Sequence, residues 1–221
     1  AFRRIKYYYP DFEAPDIYTI ITGFQYDLTV EDKVALVGLD FYLGNAHSHY
    51  RPDVRELPEY IWRRYDVSTL VPNTIRFMSS NFISQDSKDK TMLNQMIAYG
   101  KVYYFMEKVL PDVPDSVLVG YTGQEMYNAE GNLDFIWGHF IENGVFFDQS
   151  KQAETRYIKE APFVNIISEK CPGRIGRWLG WQIVRAYMKE HSEITLAELM
   201  QDTNAQKIFQ QSHFKPQKST P

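Results

Sequence analysis

One stretch of this sequence, residues 91–109, constrains the fold more than any other. Its apolar residues recur at intervals of three and four, the spacing of one face of an α-helix. They are Leu93, Met96, Ile97, Gly100, Tyr104 and Phe105. The run stops before Pro111, and the small residue Gly100 lets another backbone approach closely. The pattern predicts a buried central helix from Thr91 to Val109.

The composition is that of a globular chain. Hydrophobic residues make up 44% and charged residues 24% of the 221 residues, which is enough for a packed core. The net charge of −4 excludes a generic nucleic-acid binder, which needs a basic surface to displace counterions. No apolar run approaches the roughly 18 residues of a membrane span. No linker or repeat divides the sequence, so it predicts one domain over residues 1–221, with a frayed tail at 215–221.

Strand-like segments are confined to the N-terminal part of the sequence. Residues 1–15 are interrupted by prolines and are predicted to be extended. The β-branched and aromatic run at 17–22 predicts a strand. The apolar run at 34–40 predicts a second, buried strand, and the polar segment 29–33 between the two favours a hairpin.

The rest of the sequence predicts helices. Two capping boxes, Thr122-x-x-Glu125 and Thr195-x-x-Glu198, mark helix starts. Pro72 predicts the start of another helix. Predicted helices cover residues 59–65, 72–82, 91–109, 132–143, 173–189, 195–200 and 205–211, with a short turn at 165–169. The predicted class is α+β: a small N-terminal sheet packed on a mainly helical domain.

His47 and His49 are spaced as a metal-binding pair. On a strand, residues two apart share a face, so both imidazoles could contact one ion. A third ligand would have to come from a distant residue such as His139 or Asp40. Zinc sites need a recognisable third and fourth ligand, and the surrounding sequence is typical of a solvated loop. We therefore expect no bound metal and no cofactor.

Other chemistry-bearing patterns are weak. Cys171 precedes a predicted helix, where the helix dipole can lower a thiol pKa, but no histidine is near it in sequence. A structural thiol is therefore the favoured interpretation. Nucleophile-elbow, phosphate-loop and dinucleotide-binding motifs are absent from the sequence. Gly173, Gly176 and Gly180 recur on one helix face beside Trp178, which predicts close helix packing rather than a ligand site.

A set of segments, in order along nearly the whole sequence, carries a family resemblance. They are IYTI at 17–20, GLDFYLG at 38–44, LNQMIAYGK at 93–101, IWGHFIEN at 136–143, APF at 161–163, PGRIGRWLGWQIVRAYM at 172–188, and the closing Ile208-Phe209 with FKP at 214–216. The block GWQIVRxYM at 180–188 is the most specific. Together they resemble the GldB-type gliding-motility lipoproteins of the bacterial cell envelope.

The resemblance implies an outer-membrane lipoprotein that faces the periplasm. Its lipidated cysteine is expected upstream of Ala1, so that this chain is the C-terminal part of a longer precursor. The chain would then meet the membrane only through the upstream lipid. Its expected partners are proteins of the cell envelope, and not nucleic acid.

The resemblance also implies kinship with predicted zinc-dependent proteases, whose His-Glu-x-x-His would fall at residues 94–98. In that motif two histidines bind zinc and the glutamate activates a water. Here the positions are Asn94, Gln95 and Ala98. An amide nitrogen is a poor zinc ligand, glutamine is no base at neutral pH, and alanine has no ligand atom. The expected fold is therefore zincin-like without peptidase chemistry.

A degenerate cleft would lie beside this helix. Its candidate residues are Asn94, Gln95, Ala98, Tyr99, Glu130 and His139. Glu130 and His139 lie downstream, where some zinc peptidases carry their third ligand, although Glu130 also fits an ordinary exposed helix charge. The amides of Asn94 and Gln95 have two possible roles: hydrogen bonding to a peptide or glycan, or satisfying backbone groups in a closed core.

Different classes of function remain open from the sequence. The leading one is a non-catalytic envelope protein that acts as a binding or scaffold component. The alternative is a zinc-dependent metallopeptidase or other hydrolase with unrecognised ligands. A carbohydrate- or peptide-binding module is a third option, suggested by an aromatic content of 15%.

Overall fold

The computed structural model of this chain describes residues 1–31, 33–44, 47 and 57–216. The chain forms two compact units. The first contains residues 1–81 and 106–120, and the second contains residues 82–105 and the chain from 121 onward. The fold is α+β, as predicted. The single-domain organisation stays a prediction.

The first unit holds a sheet that, over the described residues, has three strands. They are β1 (Asp16–Ile20), β2 (Leu28–Glu31) and β3 (Val34–Gly38). β3 is central, with β1 parallel on one side and β2 antiparallel on the other. The predicted hairpin of runs 17–22 and 34–40 is therefore wrong, because those runs pair in parallel and β2 forms the hairpin with β3. Thr29 and Val30 are β-branched and favour a strand over the predicted turn.

The N-terminus is helical, which corrects the predicted extended segment at 1–15. α1 covers Phe2–Tyr8 and buries Ile5. Pro10 follows the helix and cannot continue it, so the prolines limit the helix without extending the residues before them. Arg4 on α1 forms an exposed ion pair of 3.3 Å with Asp112 in the same unit.

The other helices of the first unit are α2 (Glu59–Trp62), α3 (Val67–Met78) and α5 (Asp115–Val119), with 3-10 turns at Leu39–Tyr42 and Ser79–Asn81. Pro72 lies inside α3, so the predicted start at Pro72 is wrong. The true start is a capping box: the Asp66 carboxylate accepts from the Ser68 amide, and the Thr69 hydroxyl accepts from the Asp66 amide. α3 ends at Met78, four residues earlier than predicted.

The core of the first unit forms where β3 enters the first 3-10 turn. Val37, Phe41 and Tyr42 are buried there, and Tyr65 packs against them. Asp40, the distant residue considered above as a metal ligand, is also buried. Its Oδ2 accepts hydrogen bonds from the backbone amides of Thr22 and Phe24, and so holds the turn after β1.

The second unit is built around α4 (Met92–Val109), whose last turn belongs to the first unit. The other elements are α6 (Gly123–Gly131), α7 (Leu133–Glu142), a 3-10 turn at Val145–Phe147, α8 (Lys151–Ala153), a π-helical turn at Glu154–Ile158, α9 (Ile175–Glu190), α10 (Leu196–Gln201) and α11 (Ala205–Gln211). Both predicted capping boxes form, at Thr122 and Thr195. α8 and the π turn are elements that the sequence did not predict.

α4 and α9 approach each other closely through glycine. A Cβ built at Gly180 would overlap the carbonyl oxygen of Met96, and one built at Gly100 would overlap the carbonyl of Gly180. Trp178 and Trp181 of α9 are almost completely buried. The predicted burial of the central helix and the predicted packing role of the glycines are confirmed.

Candidate functional site

Asn94 lies in the first turn of α4 and is 3% exposed. Its side-chain Nδ2 donates to two carbonyl oxygens of the preceding loop, that of Asp86 at 2.9 Å and that of Asp89 at 2.6 Å. Both amide hydrogens are therefore used inside the protein. The Asn94 side chain therefore satisfies two backbone groups and fixes the loop before α4 to the helix.

Lys101 lies two turns further along α4 and is 2% exposed. Its Nζ donates to the carbonyl oxygens of Ser84 at 2.7 Å, Asp202 at 2.8 Å and Met200 at 3.2 Å. Burial lowers the pKa of Lys101 to about 8, and the negative charge of Asp202 opposes that shift. The three hydrogen bonds satisfy all three donors of an ammonium group, so Lys101 joins the loop before α4 to the end of α10.

A depression on the second unit has a wall formed by this face of α4. It is partly open to solvent and has almost no room even for a water molecule. The lining residues are Ser84, Gln85, Asn94, Ile97, Ala98, Lys101, Asp202, Thr203 and Ala205. Ligand pockets typically enclose about 300–1,000 Å³, so this depression is too small for a peptide side chain and its backbone. Gln95 is half-buried beside Asn94.

Tyr99 lies about 140° around the helix from Asn94 and has different neighbours. The guanidinium of Arg177 stacks over its ring, with the carbon 4.3 Å from the ring centre. Arg177 is almost buried, and its Nε donates to the carbonyl oxygen of Ile158 at 2.6 Å. Glu160 lies 3.5 Å from the Nη1 of Arg177 and 3.3 Å from the Nε of Arg174. One carboxylate thus compensates two buried cations.

Arg174 precedes α9 in the left-handed conformation, with φ of 60°. Its guanidinium lies over the ring of Tyr121 at 5.4 Å. The Tyr121 hydroxyl donates to the carbonyl oxygen of Gly173 at 2.8 Å, and burial raises its pKa. Tyr121 and Arg174 therefore fix the chain as it enters α9.

His139 lies on α7, with its Nε2 2.8 Å from the hydroxyl of Tyr157 in the π turn. Burial lowers the pKa of His139, and the nearby charge of Arg156 lowers it further. The amide nitrogen of Asn143 lies 3.3 Å from Nδ1 and donates to the His139 carbonyl oxygen. The hydrogen bond between His139 and Tyr157 joins α7 to the π turn.

The six predicted cleft residues therefore have different surroundings. Asn94 and Ala98 line the depression, Tyr99 packs on Arg177, and His139 binds Tyr157. Glu130 is exposed near the end of α6. The cleft itself stays a prediction.

His47 and His49 are the other candidate metal ligands. His47 is exposed, and His49 lies outside the described residues. Over residues 1–31, 33–44, 47 and 57–216, no group of three or more His, Cys, Asp or Glu side chains is arranged to hold a metal ion. Cys171 is buried, and burial raises the pKa of its thiol to about 12, which keeps it protonated.

The sequence analysis did not predict the role of Lys101 or the pairing of Glu160 with Arg174 and Arg177. Lys101 lies one residue after Gly100, on the apolar face of α4, and a lysine in that position was the available signal. The arginines gave no such signal, because their partner Glu160 lies in an irregular segment far from α9 in sequence.

Comparison with protein families identifies the chain. The family of the gliding motility protein GldB matches residues 1–216, and the chain belongs to this lipoprotein family. Searches of curated proteins and of solved structures gave no match. In the part of the chain that the structure describes, no helix has both the length and the apolar character needed to cross a bilayer. The zincin-like fold stays a prediction.

Proposed function

We propose that this protein is a non-catalytic lipoprotein that acts by binding a protein partner in the cell envelope. In this proposal a lipid on a cysteine upstream of Ala1 holds it at the periplasmic face of the outer membrane. Membership of the gliding motility protein GldB family supports an envelope lipoprotein. The residues of α4 at the positions of the zinc-protease motif, Asn94, Gln95 and Ala98, support the absence of catalysis.

The observation that carries the proposal is the engagement of Asn94. A metal ligand at this position would have to face an open site. Instead the amide is buried and donates to the carbonyls of Asp86 and Asp89. Lys101 contributes a cation to the same depression, and a positive charge opposes the binding of a divalent metal.

The surface of the second unit supports a binding role. Tyr127, Phe135 and Phe147 are 73%, 61% and 57% exposed. Aromatic side chains are enriched among the residues that anchor protein interfaces. A partner surface is therefore a better expectation than a ligand in the small depression beside Asn94.

Two measurements on protein purified without chelators test the absence of catalysis. Elemental analysis is expected to find well below one equivalent of zinc, and a diverse peptide library is expected to remain uncleaved. About one equivalent of zinc that is lost on mutation of His47 or His49, together with chelator-sensitive cleavage, would establish the metallopeptidase alternative.

The binding role is tested by cross-linking the full lipidated protein in envelope membranes and quantifying what it captures. Phe135→Ser is expected to reduce capture of a specific partner. Gln95→Ala is the matched control on α4, because Gln95 is half-buried and its truncation leaves the two hydrogen bonds of Asn94 in place. Loss of the partner with Gln95→Ala and retention with Phe135→Ser would show that the partner binds at the predicted cleft and not at the aromatic surface.

A further inference from the structure

In the part of the chain that the structure describes, β1 is an edge strand, and all five of its residues are exposed. Its apolar residues Ile17, Tyr18 and Ile20 are 44%, 54% and 36% exposed, and Ile21, directly after the strand, is 85% exposed. These residues alternate between the two faces of the sheet. Apolar surface is therefore open on both faces and along the free edge.

The direction of the backbone groups of β1 follows from its pairing. The amide of Asp16 donates to the carbonyl of Lys33 at 2.7 Å, and Asp16 aligns with Val34 in the parallel register. In a parallel pair alternate residues direct both peptide groups toward the neighbouring strand. Ile17 and Thr19 therefore direct their N–H and C=O groups away from β3, toward the free edge.

This edge lacks the features that usually protect such strands. Natural proteins place lysine, proline or a bulge on an exposed edge, because unpaired peptide groups recruit another strand. Residues 16–21 contain no lysine and no proline, and their one charge is Asp16 at the start. Segment 17–21 is uncharged and rich in β-branched residues, the composition of a strand that pairs with another strand.

We propose that β1 pairs antiparallel with β1 of a second copy of this chain, with the two-fold axis at Thr19. The pairing continues each strand by one residue, to Ile21, and joins two three-stranded sheets into one sheet of six strands. This inference is independent of the proposed function, because self-association is measured on the purified chain whether or not it has catalytic activity or another partner.

The sequence of the strand is self-complementary in this register. Thr19 lies opposite its own copy, and Ile17 lies opposite Ile21 of the second copy. These are the residues whose peptide groups face the edge, so each such pair exchanges two hydrogen bonds. Tyr18 lies opposite Ile20, an aromatic pair with a β-branched residue of the kind that stabilises sheets.

A register centred on Tyr18 is less favourable. It places Asp16 opposite Ile20 and leaves the peptide groups of Ile21 without a partner. Because a one-residue shift changes every opposing pair, the Thr19 register is specified by the positions of the apolar residues and of the single charge. This self-complementarity favours a second copy of β1 as the partner over a strand of an unrelated protein.

The pairing area is small, so we expect a weak dimer. Stable interfaces usually bury about 1,200–2,000 Å², more than two five-residue strands supply. Tethering both copies to one membrane would raise their effective concentration and favour pairing without any added contact. For the free chain, the dimer should appear between about 10 µM and 0.5 mM, the range of weak association.

Sedimentation velocity over that concentration range tests the proposal with paired charge variants. Thr19→Lys and Thr19→Glu each place two like charges opposite each other on the axis. Each alone should raise the dimer dissociation constant by up to about fivefold. An equimolar mixture of the two should restore dimerisation, because opposite charges then face each other. Tyr26→Lys and Tyr26→Glu, at a 66% exposed residue outside the strand, are the matched controls and should leave dimerisation unchanged.

Circular dichroism melts verify that the Thr19 variants fold. If one does not, Ile21→Lys replaces it, since that side chain is 85% exposed and lies opposite Ile17 in the proposed pair. A wild-type chain that remains monomeric at about 0.5 mM, where even millimolar affinity is detectable, would overturn the proposal. Dimerisation that is insensitive to both Thr19 charges, or that the mixture fails to restore, would also overturn it.

Discussion

α9 and β1 are similarly apolar in sequence and opposite in environment. Ten of the sixteen residues of α9 are buried, whereas all five residues of β1 are exposed. α9 packs against α4 and α11, and its glycines admit a neighbouring backbone. Among the described residues, β1 pairs with one strand, β3, on one edge. Apolar residues in this chain therefore have two different roles. Those of α9 stabilise the second unit, and those of β1 form an exposed apolar surface.

The largest expected effect comes from removing a buried aromatic ring of α9. Trp178 is 2% exposed, and truncating a buried tryptophan typically costs about 3–5 kcal/mol. Trp178→Ala should therefore lower the unfolding free energy by that amount in urea denaturation. Phe135→Ala, at a 61% exposed aromatic on α7, is the control and should change it by less than about 0.5 kcal/mol. Similar values for both would show that α9 is not the stabilising element.

Closing the glycine contact between α4 and α9 should also destabilise the second unit, by a smaller amount. A Cβ at Gly180 overlaps the carbonyl of Met96, so Gly180→Ala forces α4 and α9 apart, and overpacking of this kind costs about 1–3 kcal/mol. Gly138→Ala is the matched control on α7, because its Cβ would meet no atom within 4 Å. There alanine should be neutral or stabilise by about 0.5–1 kcal/mol. A neutral Gly180→Ala in thermal melts would mean that the two helices can separate freely.

The buried helices were predictable because their signals are local. Periodic apolar residues identified α4 and α9, and capping boxes at Thr122 and Thr195 gave helix starts within a residue. The sheet was predicted less well, since pairing depends on residues far apart in sequence. The parallel partnership of β1 and β3 cannot be read from either strand alone.

The candidate site was predictable only as a position on a helix. The sequence left open whether Asn94 binds a ligand or backbone groups, because its two carbonyl partners lie in an irregular loop whose path no sequence pattern specifies. Lys101 has the same limitation, because two of its three acceptors come from the distant end of α10.

Replacing Asn94 by aspartate tests whether this side chain holds the loop before α4. Asn94→Asp keeps the shape but replaces two donors by acceptors that face two carbonyl oxygens. Leaving those groups unpaired should cost about 2–3 kcal/mol. Gln95→Glu makes the same chemical change at a half-buried neighbour and should cost less than about 0.5 kcal/mol. Chemical denaturation of both variants at pH 7 is the measurement, and equal stabilities would show that the loop is not held by Asn94.

Lys101 makes a smaller, pH-dependent contribution. At pH 7, Lys101→Met leaves three carbonyls without their donor and should lower the unfolding free energy by about 1–3 kcal/mol. The folded-state pKa of Lys101 is about 8, below the 10.5 of an exposed lysine, so between these values the unfolded chain binds more protons. The wild-type unfolding free energy should therefore rise relative to that of Lys101→Met as the pH increases from 8 toward 10.5.

Urea unfolding of wild type and Lys101→Met at pH 7.5, 9 and 10 measures this difference and cancels the titration of shared tyrosines. A difference that stays flat across the series would show that Lys101 keeps its ordinary pKa. The three carbonyl acceptors would then offset the effect of burial completely.

The smallest expected effect on the unfolding free energy comes from a substitution in β1. Tyr18 is 54% exposed and lies on the strand without a covering layer. Tyr18→Ala should change the unfolding free energy by less than about 0.5 kcal/mol at concentrations where the chain is monomeric, because little buried surface is lost. At high concentration the same variant should weaken self-association, since it removes the cross-strand pair with Ile20. A loss above about 2 kcal/mol in the monomer would place Tyr18 in a core, and β1 would then be a stabilising element like α9.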